Sequence, residues 1–215
     1  MSRPVRKYPD FCLLLSLPRQ PATSVSADRV PSGFERMSIE ENQALKNLKI
    51  TRSLPHGKYK LREVFSGLEA SPFIRRLFEG EKELEELQNL DVEITVDVRY
   101  MRVSDIDGKL LVGSTYLRRG RREFIYLDLI HELTHIKQLH HGYDIYDPKY
   151  SYVKRPTELE AYANAVAEAR RIGLSDLEIY EYLRVDWISE EELEMLAERL
   201  GVAPQSKGQT EPKMG

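Results

Sequence analysis

Five residues near the middle of the chain, His131-Glu132-Leu133-Thr134-His135, have the types and the spacing of a metal-ion site. Side chains four apart on a helix lie one above the other, so the two imidazoles can meet one ion. Glu132 falls on a neighbouring face, where it can take a proton from a water activated by that ion. Leu129, Leu133 and Ile136 form an apolar stripe on the opposite side, so the helix can dock on a core while its histidines face a cleft. His140 and His141 follow closely but lack this geometry.

A hydrolytic zinc site takes three protein ligands and keeps one position open. Glu158 and Glu160 compete for the third place, on a helix expected from Pro156 to Ile172 and ended by Gly173. At about 100° per residue, Glu160 groups with Asn164, Glu168 and Arg171 on a polar face. Glu158 instead sits among Ala161, Tyr162, Ala165 and Ala169. An unpaired carboxylate on an apolar face is costly, and a metal ion removes that cost. The wheel therefore favours Glu158. Glu160, with Asn164 four residues on, remains the competing choice.

The elements that must hold these side chains read as an α+β domain: a small, mostly antiparallel sheet packed on the histidine helix and the glutamate helix, with extra helices at both ends. Val92, Ile94, Val96, Val98 and Tyr100 alternate with polar residues, which predicts one strand over 91–100. Asp107-Gly108 reads as a hairpin turn. Further strands are expected over 110–117 and 123–127, separated by the Arg118–Arg122 turn, before the histidine helix begins near Leu129. Residues 38–90 read as mostly helical, with a capping-box spacing at Ser38 and Glu41 and a turn at Pro55-His56-Gly57. Ser175 with Glu178, and Ser189 with Glu192, predict two C-terminal helices, the last closed by Gly201. Trp187, Ile179, Tyr182 and Leu183 read as core.

The chain thus divides into residues 1–36, a flexible tail or an extension ahead of a start at Met37; 37–90, helical; 91–172, the metal-site core; 173–202, C-terminal helices; and 203–215, a disordered tail. The apolar stretch Phe11–Leu17 is short and is followed by Pro18, which argues against a secretory signal.

His131 to His135, followed 23 residues later by Glu158 with Ala161, resembles the gluzincin group of zinc metallopeptidases, and is most similar to the small minigluzincins. The resemblance covers residues 91–172. It implies zinc held by His131, His135 and Glu158, Glu132 as general base, and a peptide or protein as substrate. Gluzincins often carry an acidic residue four positions after the third ligand; here that position is Tyr162, a weaker support for the ligand shell. The resemblance also implies self-inhibition by the C-terminal segment as one role for 203–215. Tyr143, Tyr146, Tyr150 and Tyr152 lie between the two zinc helices as candidate oxyanion donors or cleft lining. Strand 110–117 is expected to offer an edge to an extended peptide.

Composition narrows the classes. With 32 Lys+Arg against 35 Asp+Glu the net charge is −3, so no overall basic field recruits nucleic acid. The Arg118–Arg122 turn reads as solvated. A single cysteine, Cys12, excludes an internal disulfide and a cysteine-based zinc finger. No apolar run is long enough to span a bilayer. These features predict a cytoplasmic enzyme; the alternative is a metal-stabilised binding or regulatory protein that hydrolyses little.

Overall fold

The computed structural model describes residues 43–104 and 106–203. The Ser38 capping box and the proposed inhibitory segment lie outside the described residues, the latter apart from Ala203. The architecture is α+β. A short helix α1 (Gln43–Asn47) leads into β1 (Lys49–Ile50), β2 (Gly57–Lys60), α2 (Leu61–Val64) and β3 (Phe65–Ser66). Helices α3 (Pro72–Leu77) and α4 (Gly80–Gln88) follow, then β4 (Asp91–Thr95), β5 (Met101–Val103) and β6 (Leu110–Gly113). After α5 (Ser114–Arg119) come the long helices α6 (Arg122–His140) and α7 (Pro156–Arg171), then α8 (Asp176–Leu183) and α9 (Glu190–Arg199). Both C-terminal capping boxes form as expected, with Ser175 and Ser189 each bonded reciprocally to the glutamate three residues on. No helix among the described residues is long and apolar enough to cross a membrane.

The main sheet has the order β2-β4-β6-β5, with β4 and β6 parallel and the outer pairings antiparallel. The hairpin at Asp107-Gly108 joins β5 to β6 as expected, with Gly108 at φ 69°. Residues 43–90 carry more helix than strand, as expected, but β1, β2 and β3 run between the helices, and β2 supplies an edge of the main sheet. Three expectations need correction. The strand over 91–100 stops at Thr95, where Asp97 N–H donates to the Thr95 hydroxyl and Val96 turns out to solvent at 68% exposure. The strand expected over 110–117 ends at Gly113 and is internal, so β5 and not β6 forms the edge on this side. Residues 123–127 are not a strand but the first turns of α6.

Gly113 shows why the 96–100 loop runs where it does. A Cβ there would lie 2.2 Å from the Val98 carbonyl oxygen, so only glycine lets this loop cross the end of β6. The loop then lies against the mouth of the cleft. The core itself centres on α6, where Ile125, Tyr126, Leu127, Leu129, Ile130 and Leu133 are all fully buried. This helix is enclosed on every side rather than along one stripe.

Candidate metal centre

Helices α6 and α7 pack closely because α7 offers Ala161, Ala165 and Ala169, all with no exposed surface. Asn164 Nδ2 donates across the interface to Thr134 Oγ1, whose own proton goes to the Ile130 carbonyl. This tight seam brings His131, His135 and Glu158 into one buried group. Their facing atoms make a nearly equilateral triangle. His131 Nε2 and His135 Nε2 are 3.0 Å apart, and Glu158 Oε2 lies 3.3 Å from the first and 3.4 Å from the second.

A tetrahedral zinc ion with ligands at 2.0–2.1 Å requires ligand atoms about 3.3 Å apart, so the triangle has the dimensions of one zinc face. The chemistry of the atoms agrees. Glu158 Oε2 is buried without a hydrogen bond among the described residues, and two imidazole nitrogens facing each other can share only one proton. A cation between the three satisfies every one of them. The donor set fits a divalent metal ion, and Glu158 rather than Glu160 is the glutamate grouped with the two histidines.

Electrostatics of the protein alone reflect the crowding. Burial pushes the His131 imidazole down. Burial acts on His135 in the same sense, but Glu158 and Glu132 overcome it and raise that imidazole to about 9. Burial would push Glu158 up, yet the two imidazoles hold it well below the usual carboxylate range. Burial takes Glu132 up to about 8, outweighing the opposing pull of the His135 imidazole. Its Oε2 accepts the Val103 N–H at 2.9 Å, which ties the carboxylate to edge strand β5.

Support for the ligands was not legible from the motif alone. Gln138, one turn after His135, accepts or shares the His135 Nδ1 proton at 2.8 Å through its Oε1. Its Nε2 donates to the Thr157 carbonyl at 3.0 Å and to Glu160 Oε2 at 2.9 Å. Glu160, the competing candidate, therefore sits one layer out, holding the glutamine that orients His135. The i, i+3 spacing of His135 and Gln138 was the available signal. Tyr162 does not hydrogen-bond a ligand: its ring packs on His131 with centroids 4.4 Å apart, and its hydroxyl meets that of Tyr152 at 2.8 Å. Arg155 approaches Glu158 Oε1 at 3.4 Å.

Two cavities of about 350 and 300 Å³ meet at the site, sharing Tyr100, Met101, His131, Glu132, Tyr152 and Trp187. Of the four tyrosines between α6 and α7, Tyr152 lines both and Tyr146 lines the larger. Tyr150 is 41% exposed, and Tyr143 stacks near the exposed His141. Trp187 is a further correction: it is 54% exposed and forms cleft wall, edge-on to Tyr100 and Tyr152, rather than core. Glu168, assigned by the wheel to a polar face, is buried, paired with Arg171 and bonded by the Tyr126 hydroxyl. The arginines at 118–122 are not one solvated turn. Arg121 pairs with Glu123 and Glu178, and Arg122 donates to the Leu45 and Leu48 carbonyls.

No family model, curated protein or solved structure matches the chain.

Proposed function

We propose that the protein is a zinc-dependent peptide hydrolase in which His131, His135 and Glu158 hold the metal and Glu132 is the general base. The observation that carries this reading is the buried His-His-Glu triangle of zinc dimensions with Glu132 beside it at the junction of two cavities. The gluzincin resemblance points the same way. A bound zinc ion would supply Lewis acidity, making water easier to deprotonate and a carbonyl easier to attack.

The chain's own groups do the rest. Val103 N–H fixes one oxygen of Glu132 and leaves the other for proton transfer. Burial makes this carboxylate a stronger base than an exposed one, able to take a proton and then pass it to a leaving amine. Edge strand β5 borders the larger cavity, where an extended backbone can lie beside Met101 and Arg102. Tyr152, kept neutral by burial, lines both cavities and is our candidate donor to the developing oxyanion.

The test is cleavage of a peptide library by zinc-loaded protein, full-length and trimmed after Val202. Cleavage that disappears in Glu132→Gln while zinc stays bound supports the reading. Zinc bound with no cleavage by either form contradicts it and leaves a metal-stabilised binding protein.

A further inference from the structure

The smaller cavity runs from His131 and Glu132 toward Asp128, one helical turn earlier on α6. Its walls are aromatic: Tyr116, Phe124, Tyr152, Tyr182 and Trp187 all line it. Asp128 is its distinctive group. The Tyr116 hydroxyl donates to Asp128 Oδ2 at 2.5 Å, and Tyr182 gives the carboxylate a second hydrogen bond. Two phenols therefore fix the orientation of an acid that metal binding does not use.

A carboxylate accepts about four hydrogen bonds, so two tyrosines leave it half satisfied. Among the described residues no lysine, arginine or histidine forms an ion pair with it. Arg184, the cation on this cavity's wall, pairs with Glu190, and Glu181 adds a further negative charge near the rim. A negative group lining an aromatic-walled pocket attracts organic cations twice, by direct charge pairing and through the faces of the rings.

We propose that this pocket binds an ammonium or guanidinium group of the substrate next to the scissile bond, with Asp128 as its counter-charge. This rests on the peptidase reading of the adjoining metal centre and names the substrate class it acts on. Asp128 lies three residues before His131 and four before Glu132, about one turn of helix along the axis. That offset suits a cation on the residue that donates the attacked carbonyl or on its immediate neighbour. Burial pushes the Asp128 carboxyl up to about 6, the direction expected of a carboxylate with no cation beside it. Trp187 and Tyr152 are shared with the larger cavity, so one substrate can occupy both.

The test reads binding, so it does not depend on turnover. Zinc-loaded full-length protein is titrated with pools of N-acetylated, C-amidated hexapeptides, random except for a central lysine, arginine or norleucine. A fourth pool carries norleucine and a free amino terminus. The expected result is at least tenfold tighter binding of a cation-bearing pool than of blocked norleucine, falling to within twofold in Asp128→Asn. Preference for the free-amine pool would identify the α-ammonium as the cation, and preference for lysine or arginine the side chain; either supports the pocket. Equal binding of all four pools to the unmodified protein overturns it, whatever Asp128→Asn does to folding. A preference that survives in folded Asp128→Asn overturns the role of Asp128. Retained preference without cleavage of any peptide would sink the peptidase reading and spare the pocket, whereas cleavage without preference would do the reverse.

Discussion

The floor and the rim of the cleft are built by opposite means. The floor is the α6–α7 seam, two long helices joined through alanines, with every metal-facing side chain buried. The rim is assembled from the 96–103 segment, the Tyr146–Tyr152 loop and the turn carrying Trp187. Apart from the buried Val103 N–H bond to Glu132, its ties lie near the surface: Tyr100 to Asp186 at 2.8 Å, Arg99 to Asp186 at 2.6 Å, and a run of edge-on rings. Charges on the floor are desolvated and must be matched atom for atom, whereas exposed rim pairs contribute little each. A metal site needs the first kind of construction, and a surface that receives varied chains can use the second.

The sharpest way to break this contrast is at Glu132. Glu132→Gln should lower kcat/KM about 100- to 10,000-fold with zinc content unchanged, measured by steady-state peptide cleavage and metal analysis. Parallel loss of zinc would mean that Glu132 is structural. Next in size, Gln138→Ala or Glu160→Ala should weaken zinc about 10- to 100-fold by releasing His135 from its orienting partner, read by chelator competition. Ala165→Leu should overfill the seam and cost about 1–3 kcal/mol in chemical unfolding, with zinc affinity reduced in step. Smallest is the rim: Trp187→Ala should change KM about 2- to 10-fold through lost ring contacts and leave zinc binding alone. If Trp187→Ala instead released the metal, floor and rim would be one cooperative unit.

Protonation offers an independent check. Without metal, His135 is held protonated up to about pH 9, and zinc accepts only the neutral imidazole. Zinc binding at pH 7 should therefore release about one proton from His135, and apparent affinity should rise with pH up to about 9. Calorimetry in buffers of different ionisation enthalpy measures this, and a heat independent of buffer would contradict it.

The floor was far more legible in the sequence than the rim. Glu158 stood out because a helical period surrounds it with alanine and tyrosine, and periodicity survives folding where the neighbour is another helix. Residues 123–127 misled because Phe124, Ile125, Tyr126 and Leu127 favour strands locally. Packing decides otherwise, since α6 buries Tyr126 and gives its hydroxyl Ser71 and Glu168 as partners. The strand over 91–100 misled because alternation continues past Thr95 while the backbone has already turned to cross Gly113. Trp187 reads as core beside Ile179, Tyr182 and Leu183, but its place is set by Tyr100 and Tyr152, which are distant in sequence. Asp128 and Gln138 sit at i−3 and i+3 from the two histidines, and that spacing was the signal passed over.

The central claim is that three named side chains hold one zinc ion, and metal content tests it most directly. Full-length protein, Glu158→Ala and Glu160→Ala should be dialysed to equilibrium against excess zinc and assayed for bound metal, with folding checked by circular dichroism. The account predicts close to one zinc per chain in the unmodified protein and in Glu160→Ala under saturating metal, and almost none in folded Glu158→Ala. Full zinc retention in Glu158→Ala, or its loss in folded Glu160→Ala at saturation, would contradict it.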